Sequence, residues 1–390
     1  MTAPLAGLKV VELARILAGP WIGQTLADLG AEVVKVESPE GDDTRTWGPP
    51  FVHRDDGTRD AAYFLSCNRG KKSVIADFSV AADREMVLRL IDQADVVIEN
   101  FKTGGLEKFG LDYATLAQRR PELIYCSVTG FGQSGPYSQR AGYDAMIQGL
   151  SGIMDLTGDP QGEPQKIGVA FMDIMTGLYG VIGIQAALAQ RERTGRGQQV
   201  DMALLDVGVS VLANQALNYL VSDNVPRRMG NAHPNIVPYQ TFAVADGYVM
   251  IAVGNNSQYR KLCEVLGHPE LGTDLRFATN EDRVRDRAVL VATLGELLSK
   301  WQSAALLSRL ERAGVPAGPV NTLRDVFADP QVQHRQMSVR IPAPSVAGGT
   351  VPSVPSPIKF SDSQLSLHRP PPRLGEHTEE IRRALGLPAS

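Results

Sequence analysis

The sequence has little cysteine, no strong excess of charge of either sign and no long apolar run. The three cysteines, Cys67, Cys126 and Cys263, are far apart and odd in number, which argues against a disulfide framework or a CxxC metal site. Lys plus Arg at 39 against Asp plus Glu at 43 gives a net charge of −4, too balanced for a general nucleic-acid or acidic-membrane surface. No stretch reaches the roughly 18 apolar residues of a membrane span. We therefore expect an unprocessed, soluble, cytoplasmic protein with neither nucleic acid nor membrane as partner.

Signals for several common sites are also missing. The six histidines never stand at i, i+4 spacing or beside carboxylate clusters, so no metal site is expected. There is no GxSxG nucleophile elbow, and Cys126 lies in an apolar run where a thiol is inert. The GKKS stretch at 70–73 lacks the first glycine of a P-loop, because Leu65 stands in its place.

What is present first is a regular alternation of short β-rich runs and helical segments. The runs LKVVELA, AEVVKVE, KKSVIADF, ADVVIENF and LIYCSVTGF fall within about the first 135 residues and predict a parallel α/β sheet. GRGQQVDMALLD predicts one more strand followed by a helix. After a stretch rich in helix and strand breakers near 221–240, apolar runs on both sides of Asp246 and Gly247 predict a hairpin within a smaller α+β domain. The segment IPAPSVAGGTVPSVPSP is expected to be an extended linker.

The stretch GFGQSG at 130–135 fits the GxGxxG pattern of a dinucleotide site. That site requires a helix that opens through the glycines, and Pro136 together with the breakers up to Gly142 removes it. We expect instead a backbone loop that lines some other pocket.

Asp173 stands out by its context. It is the only charged residue between Lys166 and Arg191, at the start of a helix that is apolar on nearly every face and is therefore expected to be buried. Asp is a common N-cap, so a capping role is one interpretation. The other is a nucleophile held ionised by the helix dipole in a dry pocket, and the two are compatible. Three glycines recur on the same helix, Gly177, Gly180 and Gly183. Their spacing would let another backbone approach this helix closely.

A basic cluster lies in the first third of the chain. Its members are Lys35, Arg45, Arg69, Lys71, Lys72, Lys102 and Lys108. Several of them fall at predicted strand ends or helix starts, where phosphates bind in open α/β sheets. The alternative for each is an ordinary solvated surface charge.

Seven segments together resemble the class III CoA-transferases, the family of formyl-CoA transferase and carnitine CoA-transferase. They are ELARILAGP, AEVVKVESPEGDDTR, NRGKKSVIADF, ENFKTGG, SVTGFGQSGPY, AGYDAMIQGLSG and the helix of Asp173. The resemblance implies that Asp173 attacks the thioester of an acyl-CoA, and that a mixed anhydride and an aspartyl-CoA thioester follow. It implies acyl-CoA and a carboxylic acid as substrates and no permanently bound cofactor.

The resemblance also implies site residues. For the coenzyme these are Arg15, Ile16, Ala18, Asn100, Phe101 and Lys108, to which the basic cluster adds Arg69 and Lys71. Tyr143 and Asp144 match the pair opposite the nucleophile. Related α-methylacyl-CoA racemases have a His at the position of Tyr143, and a phenol of pKa about 10 is a poor acid–base partner near neutral pH, so racemase is the lesser alternative.

GNAHPNIVPYQTF further resembles the branch that transfers CoA from succinyl-CoA to dicarboxylic acids. Candidate substrate contacts nearby are Arg227, Arg228, His233 and Asn235, together with Asn255 and Asn256, which replace glycines of the family's active-site loop. The fold implied is an interlocked homodimer. Its Rossmann-like large domain takes residues 1–205 and 331–390, a crossing linker takes 206–235, and a small α+β domain takes 236–330.

Overall fold

A computed structural model describes residues 2–388, which divide into two compact units. The larger unit takes residues up to Ile153, Lys166–Asp223 and the chain from Pro330 onward, and the smaller takes Met154–Gln165 and Asn224–Asp329. The strands are β1 Lys9–Glu12, β2 Glu32–Glu37, β3 Phe51–His53, β4 Arg59–Ala61, β5 Lys71–Ile75, β6 Val96–Glu99, β7 Ile124–Thr129, β8 Gln199–Ala203, β9 Tyr239–Val244, β10 Gly247–Ala252, β11 Ala317–Pro319, β12 Val339–Pro342 and β13 Thr350–Ser353.

The helices vary in length from single turns to the 24 residues of α7. They are α1 Ala18–Asp28, α2 Ala62–Cys67, α3 Ala81–Ile91, α4 Tyr113–Arg119, α5 Asp144–Leu150, α6 Ile153–Leu156, α7 Phe171–Thr194, α8 Leu204–Ser210, α9 Ala213–Ser222, α10 Asn256–Val265, α11 Pro269–Thr273, α12 Asn280–Arg285, α13 Arg287–Leu298, α14 Ser303–Ala313, α15 Leu323–Ala328, α16 Pro330–His334 and α17 Thr378–Ala384.

A six-stranded parallel sheet forms the centre of the larger unit. Its strand order is β5-β2-β1-β6-β7-β8, and every neighbouring pair is parallel. The valine- and isoleucine-rich strands are buried on both faces, as the continuous apolar runs predict. The predicted α/β class is confirmed. In such sheets ligands bind outside the carboxyl ends of the strands, which here are followed by the loops that line the pocket described below.

Helix α7 packs closely against α1 through its glycines. A Cβ at Gly177 would lie 3.0 Å from the Cβ of Trp21 and 3.1 Å from the backbone oxygen of Ala18. A Cβ at Gly180 would lie 2.5 Å from Cδ1 of Ile22. The close approach predicted from the glycine spacing is confirmed, and it brings the start of α1 against the helix that carries Asp173.

The smaller unit contains a three-stranded antiparallel sheet of order β11-β10-β9. The β9–β10 hairpin turns at the predicted place, with Val244 paired to Gly247. Its core is built from this sheet and from apolar residues of α10, α13 and α14. The predicted α+β character of this part of the chain agrees with these elements.

Two segments that were expected to be linkers contain regular secondary structure. The first part of the expected linker 206–235 is occupied by most of α8 and by α9. The Pro/Gly-rich segment was predicted to be extended, but it forms the β12–β13 hairpin, which turns through Gly348 and Gly349 at positive φ and packs on Phe64 and Leu65. The hairpin is stabilised by apolar contacts with residues far away in the sequence, which compensate for its weak local propensity. The crossing role of 206–235 stays a prediction.

Among residues 2–388, one helix, α7, is long and apolar enough by length and composition to cross a membrane. Counting α8 and α9 as a single span, bent by 71°, would make two. A helix in the core of a protein satisfies the same criterion. Helix α7 makes core contacts of this type, because its glycines pack against α1.

Candidate active site

A pocket of about 320 Å³ lies at the carboxyl ends of β1, β6, β7 and β8 in the larger unit. Its wall is made by the loops that follow these strands, by residues 138–143 and by the first turn of α7. Seven of the residues expected at the site line it: Arg15, Ile16, Ala18, Asn100, Phe101, Tyr143 and Asp173. Residues up to 158 positions apart in the sequence therefore meet in one cavity. The loop that contains GFGQSG contributes Gly130, and no helix opens through its glycines.

Asp173 lies in the first turn of α7, two residues inside the helix start. The N-cap is Ala170, so the capping interpretation of Asp173 is wrong. Its carboxyl faces the pocket, and burial raises its pKa to about 7, with a smaller contribution from the nearby charge of Asp144. At a pKa of about 7 the carboxyl is only partly ionised near neutral pH, because burial disfavours its charged form and the charge of Asp144 adds to this effect.

Asp144 does not belong to the pocket wall among the residues that the structure describes. Its carboxylate accepts hydrogen bonds from the backbone N–H groups of Met172 and Asp173. Tyr143, the preceding residue, lines the pocket and is 61% exposed. The two residues expected as a catalytic pair thus point to different surroundings.

The loop after β1 is held in an unusual conformation. Ile16 has φ 73°, a left-handed value that a β-branched side chain rarely adopts. Its N–H donates to both carboxylate oxygens of Asp42, at 3.3 and 3.2 Å. Next to it, the Asn100 amide accepts from the N–H of Arg15 at 2.9 Å and donates to its carbonyl oxygen at 2.7 Å. The side chain of Asn100 therefore fixes the loop.

Behind this loop lies a buried network of charges. Lys35 Nζ contacts Asp42 at 2.9 Å and Glu12 at 3.2 Å, and it donates to the carbonyl oxygen of Ala14 at 2.7 Å. Burial alone would raise the pKa of Asp42, but Lys35 and the hydrogen bonds from Thr44 lower it overall. A paired carboxylate of this kind is a dependable acceptor for the loop N–H.

Most of the basic cluster does not face the pocket. Lys71 is fully buried and bonds to Glu12 at 2.8 Å, and Arg69 is buried in an ion pair with Asp28. The prediction that these two residues contact the coenzyme is wrong for a physical reason: their charges are already neutralised inside the protein. Lys35 and Arg45 are buried in the same way.

Two lysines of the basic cluster, Lys102 and Lys108, do lie near the pocket. Lys102 lines the pocket itself and also an adjoining shallow depression, where Lys108 lies over the ring of Phe109. Arg15 lines the pocket and pairs with the exposed Asp43 at 2.8 Å. These side chains are available to a phosphate-bearing ligand.

Two further residues at the site were not predicted. Arg140 lines the pocket and lies over the ring of Tyr137. Burial raises the pKa of Tyr63 to about 12, and the nearby charge of Asp173 adds to this effect. Only proximity in the fold distinguishes these residues from other arginines and tyrosines, and no spacing in the sequence carries that information.

Four residues predicted to contact the substrate lie in the smaller unit, and each of them forms a hydrogen bond or an ion pair there. Asn255 caps α10 by accepting from the N–H of Gln258, and Asn256 accepts from the buried Arg283. His233 accepts from the N–H of Asn235, and its pKa is lowered by burial and by Arg287.

Arg228 is also occupied, because it pairs with Asp155 at 2.9 Å. Each of these four side chains therefore has a structural contact that accounts for its position. Substrate contact by any of them stays a prediction. Within residues 2–388 no group of three or more His, Cys, Asp or Glu side chains has the arrangement of a metal site.

Comparison with known proteins bears on what this pocket does. The sequence model of CoA-transferase family III matches residues 5–378. The succinate–glutarate CoA-transferase of Agrobacterium fabrum is 52% identical, over 97% of this chain and 94% of the relative. Human succinyl-CoA:glutarate CoA-transferase is 44% identical, over 97% of this chain and 85% of the relative.

A solved structure gives the same result for the fold. The crystal structure of a CAIB/BAIF family protein from Brucella suis has a TM-score of 0.88 and 61% identity, and the match covers 99% of this chain and 100% of that one. The resemblance drawn from the seven sequence segments is confirmed. The chain belongs to CoA-transferase family III and is an enzyme of that class.

Proposed function

We propose that this enzyme transfers coenzyme A from succinyl-CoA to a second dicarboxylic acid, with glutarate the first acceptor to test, and that Asp173 carries the covalent intermediates. The observation that carries the proposal is the shared pocket, in which Asp173 meets the loops after β1 and β6 that match the coenzyme-binding segments of the family. The names of the Agrobacterium and human relatives support the choice of substrates.

The proposed reaction has four covalent steps. A carboxylate oxygen of Asp173 attacks the thioester carbon of succinyl-CoA and expels the CoA thiolate, which leaves a mixed succinyl–aspartyl anhydride. The thiolate then attacks the aspartyl carbonyl and releases succinate. Glutarate attacks the resulting aspartyl-CoA thioester and expels the thiolate, which leaves a glutaryl–aspartyl anhydride. The thiolate finally attacks the glutaryl carbonyl of this anhydride and releases the Asp173 carboxylate. Glutaryl-CoA forms and the Asp173 carboxylate is restored, so no water and no net proton enter the balance.

The residues around Asp173 have distinct parts in this scheme. The loop held by Asp42 and Asn100 presents backbone at residues 15–18 to the pantetheine arm. Lys102 and Lys108 supply positive charge for the phosphates of the coenzyme. Asp173 must be ionised to attack, and its raised pKa means that only part of the enzyme is competent near neutral pH.

We also propose that the enzyme acts as a homodimer in the cytoplasm. Large apolar side chains project from α7, α8 and α9: Leu178, Tyr179, Ile182, Val209, Leu217, Leu220 and Val221. Ile182 is 61% exposed and Val221 is 82% exposed in the isolated chain. An apolar surface this extensive is covered in a stable protein, and a second copy is the occupant that the family resemblance implies. Sedimentation at micromolar concentration should give twice the chain mass, and a monomer would refute the proposal.

The deciding experiment is an exchange assay with a panel of acids. Succinyl-CoA is incubated with glutarate, other dicarboxylates and monocarboxylates, and the acyl-CoA products are identified by mass. We expect glutaryl-CoA from the wild type and none from Asp173→Ala. Retained exchange of labelled succinate into succinyl-CoA by Asp173→Ala would refute the covalent role of this residue. Deuterium uptake at the α-carbon of a branched acyl-CoA without any acceptor acid would instead indicate an isomerase.

A further inference from the structure

Helix α7 begins without a capping side chain of its own. Ala170, its N-cap residue, offers no side-chain acceptor to the first N–H groups. An acceptor comes from α5 instead: Asp144 Oδ1 accepts from the N–H of Met172 at 2.7 Å and from that of Asp173 at 3.3 Å. Free N–H groups at a helix start are costly when buried. A carboxylate 28 residues earlier in the chain therefore replaces the missing cap.

A second side chain extends this contact to the segment that leads into α7. The other oxygen of Asp144 accepts from Gln148 Nε2 at 2.6 Å. Gln148 Oε1 in turn accepts from the N–H of Ile167 at 2.8 Å, and this side chain is fully buried. Two residues one turn apart on α5 thus bind the backbone at both ends of 167–173.

We propose that Asp144 and Gln148 are positioning residues, which clamp the first turn of α7 and so fix the direction of the Asp173 carboxylate in the pocket. The inference rests on the proposed role of Asp173 as nucleophile. It replaces the catalytic role expected for Asp144 from its place beside Tyr143. Asp144 has both oxygens engaged by the protein, whereas Tyr143 faces the cavity.

The clamp also brings a negative charge close to the nucleophile. The charge of Asp144 adds to burial in raising the pKa of Asp173. The other ionisable groups around Asp173 are Tyr63 from α2, Tyr143, and Arg15, Lys102 and Arg140 on the pocket wall. Removing the charge of Asp144 while keeping its acceptor oxygen should therefore shift the pH dependence of the reaction without disturbing the geometry.

Two substitutions separate the acceptor from the charge. Asp144→Asn keeps an oxygen for the two N–H groups, removes the charge and gives up only the bond to Gln148. Asp144→Ala removes everything. Asp112→Ala is the matched control, because Asp112 caps α4 by accepting from the N–H of Thr115, away from Asp173. We measure kcat and KM for acyl-CoA across pH, and amide hydrogen exchange of the peptide that covers the start of α7.

We expect Asp144→Asn to keep kcat within about threefold of wild type at high pH, with its pH profile moved to lower pH. Asp144→Ala should lower kcat by roughly 10- to 100-fold with little change in KM, and should speed exchange at the start of α7. Asp112→Ala should do neither. Equal loss of kcat in both Asp144 variants, or full kcat in both, would overturn the inference. Hydrogen exchange tests the clamp even if none of the dicarboxylates tested proves to be an acceptor, so failure of the proposed substrate is distinguishable from failure of the clamp.

Discussion

The raised pKa of Asp173 makes a prediction about stability that does not depend on knowing the substrate. The folded protein keeps a proton on this carboxyl up to about pH 7, whereas the unfolded chain loses it near 3.8. Between these values the folded state binds more protons than the unfolded state, so the free energy of unfolding falls as pH rises. Asp173→Asn removes this titration. The variant should therefore gain stability relative to wild type as pH rises through the window.

The magnitude follows from the part of the window that is convenient to measure. From about pH 5.5 to pH 7 the wild type crosses about 1.5 pH units, and each unit corresponds to about 1.4 kcal/mol, which gives an upper limit of about 2 kcal/mol. The carboxyl keeps some exposure, so solvent screening reduces this figure. We expect the difference in unfolding free energy between variant and wild type to grow by about 1–2 kcal/mol between about pH 5.5 and pH 8.

Urea unfolding followed by circular dichroism at these two pH values is the assay. Protein concentration is held equal throughout, because association contributes to the apparent stability. Asp55→Asn is the control, since Asp55 is exposed and its substitution also replaces one carboxyl group by an amide. A difference that is the same at both pH values would refute the assignment of the raised pKa.

Three other predictions concern the residues around the pocket. Asp42→Ala removes the acceptor that holds the loop after β1, so KM for acyl-CoA in steady-state kinetics should rise roughly 10-fold. An unchanged KM would contradict the role of the loop. Lys71→Met leaves Glu12 with less compensation and should cost about 3–5 kcal/mol in urea unfolding, whereas a higher KM with unchanged stability would mean that Lys71 contacts the coenzyme after all. Gly180→Val forces its side chain against Ile22 and should lower the unfolding free energy by about 1–3 kcal/mol. Gly195→Val is the comparison for backbone strain alone, because a Cβ there meets no atom within 4 Å but the residue has positive φ.

The sequence predicted the sheet well because the information there is local. Alternating apolar runs and helical patterns identify β1, β2, β5, β6 and β7, and the expected coenzyme segments directly follow the carboxyl ends of β1 and β6. The order of the strands in the sheet is not written in any of these runs. It results from packing between elements that are far apart in the chain.

The candidate site likewise combines features that are visible in the local sequence with features that arise only in the folded chain. The position of Asp173 was predictable, since a lone carboxylate on an apolar helix is visible in the sequence. Its protonation was not, because burial and the charge of Asp144 act only in the folded chain. Lys71 was misassigned because its partner Glu12 lies 59 residues away. Lys102 has the same residue type and no such partner in the described chain, yet the sequence around the two lysines does not distinguish them.

The left-handed backbone of Ile16 has a consequence for how the coenzyme binds. A β-branched residue at this φ costs about 1–3 kcal/mol, and the bonds from Asp42 and Asn100 hold the loop in place before any ligand arrives. The loop is preorganised, so its ordering entropy is lost during folding and not during binding. Association of acyl-CoA should then proceed without a slow conformational step, and its entropy should carry no large contribution from the loop.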